Sequence, residues 1–251
     1  MTRRITQLLA ALNESGSARI QDIAVRLNVS QETVRRTVAM LEQQGVVTKV
    51  HGGVSLKNWG LEPSFEQRLI QNQATKRRIA KTVAGLIRDG ASVILDVGST
   101  TAYVAQALRQ KRDLMVVTNS LPVAQALAGQ NNNRVFMAGG ELRSHDGGAF
   151  GPDARAFVRQ FRVQHAILSV AGVDGQAGFM LQDLPEADFS RTIIACAQET
   201  IIAADASKFG RAAPIRIADP ETFHRLVTDA PPPPDIADML AEAGISVTLA
   251  D

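Results

Sequence analysis

The sequence is poor in cysteine and in aromatic residues. Its 251 residues include one cysteine, one tryptophan and one tyrosine, and aromatic residues make up 4% of the chain. A single cysteine excludes an intramolecular disulfide and any zinc module built from several thiolates. That residue, Cys196, lies in the apolar helical stretch RTIIACAQ, where we expect a buried structural thiol rather than a nucleophile.

Long apolar runs and metal-ligand spacings are also missing. No stretch approaches the run of about 20 apolar residues that a membrane helix needs. The N-terminal stretch MTRRITQLLAALNES carries polar residues at helical spacing rather than the apolar block of a secretory signal. The four histidines are scattered along the chain. We therefore expect a cytoplasmic protein with no membrane partner, no metal and no cofactor.

What the chain does have is an uneven distribution of charge. The net charge is +2, but the first 57 residues hold eight Lys and Arg against four acids, which gives +4. The remaining residues hold 19 bases and 21 acids, which gives −2. A small basic segment on a nearly neutral body indicates that the segment meets a polyanion.

Three helical patterns and a turn occupy this basic segment. The patterns are ITQLLAAL, ARIQDIAVRL and QETVRRTVAMLEQQG, and the last follows Ser30, which can cap it. The second and third patterns lie about three residues apart, as in a helix-turn-helix. The following VVTKVHGGVSL predicts a two-stranded wing. Residues 1–57 are therefore predicted to form a winged helix-turn-helix domain.

The third helix of the segment is the expected reader of DNA. Because Val34 and Val38 should face inward, the other faces of the helix can enter a major groove. Arginine can bond guanine through two hydrogen bonds, and Gln and Thr can contact bases or phosphates. An arginine pair that only solvates a helical bundle is the alternative. The predicted DNA-binding residues are Ser30, Gln31, Thr33, Arg35, Arg36, Lys49 and His51.

Beyond a connector at residues 58–75, strand and helix patterns alternate to residue 251. Such alternation predicts an α/β domain with a mostly parallel sheet at residues 76–251. Several predicted strands end in polar or glycine-rich turns, which is where ligands of these sheets bind. The turn LDVGSTT also offers free amides and hydroxyls at a helix start, which suits an anion such as phosphate.

The candidate effector-binding residues come from these turns. Any one of them could instead serve turn geometry or a helix cap, and it is their combination that favours a site. They are Asp96, Gly98, Ser99, Thr100, Thr101, Asn119, Gly139, Gly140, Arg143, Gly172, Asp174, Glu186 and Lys208.

Both parts of the chain resemble the DeoR family of bacterial transcriptional regulators. Residues 1–56 resemble its DNA-binding domain through SQETVRR at 30–36 and VHGG at 50–53. Residues 75–250 resemble its effector domain, which is related in fold to ribose 5-phosphate isomerase. The motifs are DVGSTT at 96–101, VTNS at 117–120, AGGELR at 138–143, VAGVD at 170–174 and DASKFG at 205–210.

The resemblance implies a transcriptional regulator, with double-stranded operator DNA and a phosphorylated effector as its partners. AGGELRSHDGG, DASKFGR and TDAPPP are most similar to members that respond to glycerol 3-phosphate, which implies a phosphorylated sugar or polyol. Two positions depart from the pattern. Thr37 stands where Asp usually follows the arginine pair, and Asp188 stands where the glycerol 3-phosphate regulators usually have Arg. An acid near a dianionic ligand would favour a sugar phosphate over glycerol 3-phosphate.

A sensor and an enzyme both fit the predicted body. Aldose to ketose isomerisation needs a carboxylate base and a donor for the developing oxyanion. The related isomerases have an Asp-Gly-Ala-Asp turn and a Lys-Gly-Gly-Gly loop, whereas this chain has AGVD at 171–174 and no such loop. We therefore expect no catalysis. In the alternative, a sugar phosphate isomerase with an appended DNA-binding head, Glu186 or Asp174 would be the base.

The expected mechanism is linkage between two binding sites. An effector that prefers a conformation with poorly placed DNA-binding heads lowers operator affinity. One winged head reads only a half-site, so a homo-oligomer, dimer or tetramer, is expected. We predict a repressor of a carbohydrate or polyol catabolic operon. A constitutive architectural DNA-binding protein would leave the polar strand ends unexplained.

Overall fold

The computed structural model describes residues 5, 7–8, 11–12, 17–43, 47–50, 53–56 and 63–251. The chain divides into two compact units. The smaller consists of Met1–Glu62 with Gly210–Ala212, and the larger of Pro63–Phe209 with Ala213–Asp251. Over the described residues, no helix has the length and apolar character needed to cross a membrane.

The smaller unit is a winged helix-turn-helix. Its described elements are β1 (Ser17–Arg19), α1 (Ile20–Arg26), α2 (Gln31–Gln43), β2 (Val47–Val50) and β3 (Gly53–Leu56). The strands form an antiparallel sheet in the order β1-β3-β2. The sequence predicted only two wing strands, because the short β1 lies inside a stretch that reads as the start of a helix.

The core of this unit joins the helices to the wing. The buried apolar residues are Leu8, Leu12, Ile23, Ala24, Val34, Val38, Leu41, Val47 and Val54. Gly53 permits the close approach of β3 to β1, since a Cβ there would lie 2.6 Å from the Ala18 carbonyl oxygen. The second glycine of the His-Gly-Gly turn is thus explained by backbone packing.

The larger unit begins with two helices, α3 (Phe65–Ile70) and α4 (Gln73–Leu86). Ser64 caps α3 in a reciprocal pair of hydrogen bonds with Gln67, and Phe65 is buried. The sequence placed a connector up to residue 75, whereas the structure places residues 63–75 in the larger unit. A six-residue helix with one buried aromatic gives too little periodicity to be recognised in the sequence.

The rest of the larger unit is an α/β fold. Its elements, in chain order, are β4 (Ser92–Leu95), α5 (Ser99–Leu108), β5 (Met115–Thr118), α6 (Leu121–Leu127), β6 (Arg134–Met137), α7 (Pro152–Val158), β7 (Val163–Leu168), β8 (Gly172–Asp174), β9 (Gly178–Leu181), α8 (Leu184–Ala195), β10 (Ala197–Ala203), a 3-10 helix (Ala206–Lys208), β11 (Ile215–Arg216), a 3-10 helix (Pro220–Thr222), β12 (Arg225–Thr228), α9 (Pro234–Glu242) and β13 (Ser246–Leu249).

Seven of these strands form a parallel sheet in the order β13-β12-β10-β7-β4-β5-β6. Alternate residues of the central strands enter two different cores. Ile94 packs with residues of α7, α8 and α9, whereas Val93 and Leu95 pack with residues of α4, α5 and α6. A sheet covered on both faces explains why its strands read as continuous apolar runs. The predicted fold class is confirmed.

The direction of the chain reverses at the centre of this sheet. From β4 the chain proceeds outward through β5 and β6, and from β7 it proceeds the other way through β10, β12 and β13. The loops after the neighbouring strands β4 and β7 therefore leave toward opposite faces. In open α/β sheets, ligands bind at the carboxyl edge beside such a reversal.

Cys196 lies between α8 and β10 and is buried, as the sequence predicts. Its thiol contacts the Val158 carbonyl oxygen at 3.6 Å. Burial raises the pKa of this thiol, which disfavours the reactive thiolate. The residue is structural.

Candidate functional site

The helix that the sequence predicts to read DNA is α2 of the smaller unit, and its start is capped by Ser30 as predicted. The Ser30 hydroxyl accepts a hydrogen bond from the Thr33 amide at 3.2 Å, and the two hydroxyl oxygens lie 2.9 Å apart. Val34 and Val38 are buried, which turns the other faces of α2 outward. Thr37 donates its hydroxyl to the Thr33 carbonyl oxygen at 3.0 Å, so the unusual residue at position 37 is accommodated within the helix.

The outward face of α2 lines an open cavity with a volume of about 590 Å³. Gln31, Arg35 and Arg36 are exposed along it. Lys49 of β2 and Arg19 of β1 line the same cavity. Sequence reasoning did not single out Arg19, because the strand that carries it was not predicted and its charge was the only signal.

Two of the predicted DNA contacts have acidic neighbours in the structure. Arg35 lies 3.6 Å from a carboxylate oxygen of Glu32. Lys49 lies 2.6 Å from a carboxylate oxygen of Glu42, and its hydrogen bond lowers the pKa of that acid. Both pairs are largely exposed, so each is weak and can be exchanged for phosphate. His51 lies outside the described residues.

At the carboxyl edge of the large sheet, Asp96 joins the ends of β4 and β7. Its carboxylate accepts hydrogen bonds from the Ser169 amide at 2.9 Å and from the Ser169 hydroxyl at 3.4 Å. Burial raises the pKa of Asp96 to about 7, and the nearby Glu186 acts in the same direction. Ser169 was not predicted from the sequence, where the only signal for it was a hydroxyl residue at the end of a strand.

The turn after Asp96 leads directly into α5. Gly98 precedes the helix, and a Cβ at this position would lie 1.9 Å from the Ser169 hydroxyl oxygen. Thr101 donates its hydroxyl to the carbonyl oxygens of Asp96 and Gly98, so this hydroxyl shapes the turn and is not free to donate to a ligand. The first-turn amides at Ser99 and Thr100 have no capping side chain and belong to the positive end of a ten-residue helix.

Asn119 anchors the next loop to the end of β5. Its side-chain amide donates to the Ala149 carbonyl oxygen at 2.9 Å, and the Ala149 amide donates to the Asn119 carbonyl oxygen at 2.8 Å. The side-chain oxygen of Asn119 is buried and accepts no hydrogen bond from the described residues. Gly139 and Gly140 follow β6 and are exposed. The φ of +136° at Gly140 suits glycine alone.

Arg143 lies at the centre of an ionic cluster. It pairs with Asp146, with Glu186, and with Asp183 at 3.0 Å, and its guanidinium lies 4.4 Å from the centre of the Phe150 ring. Burial opposes ionisation of Asp146, but the hydrogen bonds from Arg143 and from a backbone amide outweigh it and lower its pKa. Sequence reasoning missed Asp146, Asp183 and Phe150, because only the fold brings them to Arg143.

The end of β10 holds a second group of polar residues. Asp205 is buried and accepts hydrogen bonds from the Ser207 amide at 3.1 Å and from the side chain of Asn72 at 3.2 Å. Lys208 ends the 3-10 helix that follows. The carboxylate of Asp229, at the end of β12, accepts from the first amide of that helix at 2.8 Å. Neither Asn72 nor Asp229 was singled out in the sequence.

Gly172 and Asp174 do not lie at a strand end of the large sheet. They belong to β8, which pairs with β9 in a separate antiparallel sheet. Asp174 accepts hydrogen bonds from the amides of Gln176 and Ala177 at 2.9 and 2.8 Å and shapes the β8–β9 turn. The sequence suggested one strand through HAILSVAGV, but the chain leaves the sheet after Leu168. The prediction of one strand through Gly172 was therefore wrong, whereas a bridge between Val173 and Phe209 keeps β8 beside the segment that follows β10.

Asp188 also lies away from the Arg143 cluster. Its carboxylate pairs with Arg191 at 2.8 Å and with Arg155 at 3.3 Å. It is two residues beyond Glu186 on α8, so helical geometry directs the two side chains to different faces. The expectation that an acid at position 188 favours a sugar phosphate over glycerol 3-phosphate stays a prediction.

The described histidines serve other roles. His165 contacts Glu199 at 3.0 Å, and His224 accepts a hydrogen bond from the Thr200 amide at 3.1 Å. His145 is exposed and lies 3.7 Å from Asp146. Within the described part of the chain, no group of three or more His, Cys, Asp or Glu could hold a metal ion.

Family models match both units. Residues 4–58 match the DeoR-like helix-turn-helix domain, and residues 71–230 match the DeoR C terminal sensor domain. The chain belongs to the DeoR family. The resemblance inferred from the sequence motifs is confirmed, and so is the prediction of a DNA-binding transcriptional regulator of DeoR type.

Similar curated DeoR proteins extend over nearly the whole chain. The HTH-type transcriptional repressor CsqR of Escherichia coli K12 is 35% identical over 246 residues, covering 98% of this chain and 94% of the relative. The glycerol-3-phosphate regulon repressor of the same strain is 32% identical over 248 residues, with coverages of 99% and 98%. A putative aga operon transcriptional repressor of Escherichia coli O157:H7 is 31% identical, with coverages of 99% and 93%.

Among solved structures, ribose 5-phosphate isomerase A from Methanocaldococcus jannaschii matches with a TM-score of 0.41 and 18% identity, over 55% of each chain. The eIF2B beta of Chaetomium thermophilum matches 99% of this chain and 74% of its own, with a TM-score of 0.47 and 12% identity. The assignment to the DeoR family rests on the two family models and the curated relatives.

Proposed function

We propose that this DeoR protein represses a carbohydrate or polyol catabolic operon and releases its operator when a phosphorylated sugar or polyol binds the larger unit. The observation that carries the proposal is the reversal of strand order between the neighbouring strands β4 and β7, a position at which open α/β sheets bind ligands. There a helix start with hydroxyl residues and uncapped amides adjoins a buried carboxylate. One relative is named a repressor of the glycerol-3-phosphate regulon, and a phosphorylated polyol has the chemistry that this site suits.

The proposed contacts divide the effector into two parts. Its phosphate is bound by the amides of Ser99 and Thr100 and the positive end of α5, with Lys208 from the end of β10. Its hydroxyls meet Asn119, whose side-chain oxygen is an unpaired acceptor, and Glu186. The acids around Arg143 repel a phosphate at that end of the site, so they orient the ligand.

The same geometry favours binding without catalysis. An isomerase base must be free to take a proton from carbon. Glu186 is held by Arg143, and Asp174 accepts two amides in a hairpin turn. Neither of the two candidate bases meets that requirement, so we propose a sensor in place of an enzyme.

DNA recognition is assigned to α2, with Arg35 and Arg36 reading bases and Lys49 contacting phosphate. Because one winged unit covers one half-site, two copies are needed for a symmetric operator. The effector lowers operator affinity by the difference between its affinities for the two conformations.

A thermal-shift panel tests the effector assignment. Glycerol 3-phosphate and ribose 5-phosphate are compared with glycerol and ribose, which serve as unphosphorylated controls. A binding phosphate ester at 100 times its dissociation constant adds about 2.7 kcal/mol to the free energy of unfolding, so the midpoint rises, whereas the controls leave it unchanged. Equal shifts with phosphorylated and unphosphorylated compounds, or none at all, would contradict the proposal.

A variant of the helix start locates the phosphate. Thr100→Glu places a carboxylate where the phosphate is proposed to bind, and charge repulsion should abolish the thermal shift. DNA binding by the smaller unit should remain within about twofold. Loss of both activities together would show that the turn is only structural.

A further inference from the structure

We infer that Asn72 is the positioning residue through which the effector site acts on the segment that leads to the DNA-binding unit. The inference rests on the proposed function. Asn72 lies between α3 and α4 and has a φ of +52°, a left-handed conformation that asparagine adopts more readily than most residues. Although it occupies the N-cap position of α4, its side chain makes no capping hydrogen bond.

The side chain of Asn72 reaches instead to the end of β10. It donates to the carboxylate of Asp205 at 3.2 Å and contacts the Ser207 hydroxyl at 3.5 Å. A cap residue normally stabilises its own helix. This side chain instead links two segments that lie more than 130 residues apart in the sequence. The contact joins the α3–α4 corner to the carboxyl edge of the sheet.

On the effector side, Asp205 controls the position of Lys208. Its carboxylate accepts hydrogen bonds from both the amide and the hydroxyl of Ser207, and its backbone oxygen accepts from the Lys208 amide at 3.0 Å. The three-residue helix from Ala206 to Lys208 is thus organised by the same carboxylate that holds Asn72. A phosphate that draws Lys208 toward α5 must displace this helix and change the contact with Asn72.

On the other side of the α3–α4 corner, hydrogen bonds from α5 and α4 hold α3. The Tyr103 hydroxyl donates to the Leu69 carbonyl oxygen at 2.8 Å, and the Lys76 ammonium donates to the carbonyl oxygen of Arg68. Phe65, at the other end of α3, is buried. In this inference, a shift at Asn72 is passed to α3 through these contacts, and α3 begins three residues after Glu62, the last residue of the smaller unit's main segment.

The test separates a coupling role from a merely structural one. Asn72→Gly removes the side-chain donor while keeping the left-handed backbone. The matched control is Asn132→Gly, because Asn132 has a φ of +61° and donates to Asp113 at 2.6 Å near the amino ends of the strands. A third variant, Asn72→Asp, keeps the size of the side chain and removes its amide donor.

A DNA sequence is first selected from a random pool by binding to the wild-type protein. Each protein is then titrated into this DNA, with and without glycerol 3-phosphate or ribose 5-phosphate. The affinity of each compound for DNA-free protein is measured calorimetrically. Allosteric couplings are commonly 5 to 150-fold. The affinity of both Asn72 variants for the active compound should stay within about threefold of the wild-type value. The loss of DNA affinity that the compound causes should nevertheless fall below about twofold in these variants. Asn132→Gly should respond as the wild type does.

The outcomes distinguish this inference from the function on which it rests. A wild-type protein that binds no selected DNA, or responds to neither compound, overturns both. A responsive wild type whose Asn72 variants respond equally well overturns the inference alone. An equal loss of coupling in Asn132→Gly would show that stability, not the contact with Asp205, sets the response.

Discussion

At the scale of single residues, Asp96 has the most unusual environment. Its pKa is raised from 3.8 to about 7, chiefly by burial, so the folded protein holds the proton more tightly than the unfolded chain. The free energy of unfolding must then fall as the pH rises from about 4 to about 7, and level off above that range. Asp146 acts in the opposite sense, but its lowered pKa confines its effect to more acidic solution.

Asp96→Asn should remove this pH dependence, because the amide has no proton to lose in that range. Between pH 5 and pH 7 the wild type should lose about 2 to 3 kcal/mol of unfolding free energy from Asp96, and the variant should lose correspondingly less. Urea denaturation at several pH values measures the difference. Parallel pH profiles for the two proteins would contradict the buried, protonated state of Asp96.

Gly98 makes a second prediction at this scale. A methyl group here would overlap the Ser169 hydroxyl oxygen at 1.9 Å, so Gly98→Ala should destabilise the larger unit by about 1 to 3 kcal/mol. Adding Ser169→Gly should recover part of that loss. Gly139→Ala is the control, since nothing lies within 4 Å of its added Cβ. Equal urea midpoints for the Gly98 and Gly139 variants would show that this packing is wrong.

At the scale of elements, long periodic segments were predictable and short ones were not. The pattern of inward valines located α2, and continuous apolar runs located the parallel strands. The three-residue β1 and the six-residue α3 bury too few side chains to leave a pattern. The ionic cluster at Arg143 was out of reach for another reason, because its members lie up to 43 residues apart in sequence.

The recognition helix carries a prediction of its own. A base-reading arginine replaced by alanine should cost about 1 to 3 kcal/mol on the operator and relax preference at one base position. We expect this from Arg35→Ala or Arg36→Ala. Affinities for selected and random DNA across a salt series measure it. If the double variant retains wild-type discrimination, α2 is not the reader.

The wing behaves differently, since Lys49 contacts phosphate in this account. Lys49→Ala should weaken binding to all sequences alike and lower the salt slope by up to about one. The pairing of Lys49 with Glu42 implies that part of its charge is already compensated. Glu42→Gln is therefore the second variant to measure. Because it removes the acid that pairs with Lys49, it should strengthen binding to random DNA. A change in sequence preference in either variant would be inconsistent with a phosphate contact.

At the scale of the whole molecule, the chain couples a basic reader to a nearly neutral sensor. The division was visible in the charge distribution, and the order of the sheet places the sensor site at its centre. The sequence could show which turns carry polar residues but not which strands are neighbours. For that reason Asp96 was predicted while its partner Ser169 was missed, and Asp174 was assigned to a strand of the large sheet although it belongs to β8.

The central claim is that one molecule binds both operator and phosphate ester, each at the expense of the other. The most direct measurement is fluorescence anisotropy of selected DNA titrated with wild-type protein at increasing glycerol 3-phosphate or ribose 5-phosphate. The account predicts at least a fivefold loss of DNA affinity that saturates with the active compound and is absent in Thr100→Glu. DNA affinity that is unchanged by both compounds, or reduced equally in Thr100→Glu, would contradict it.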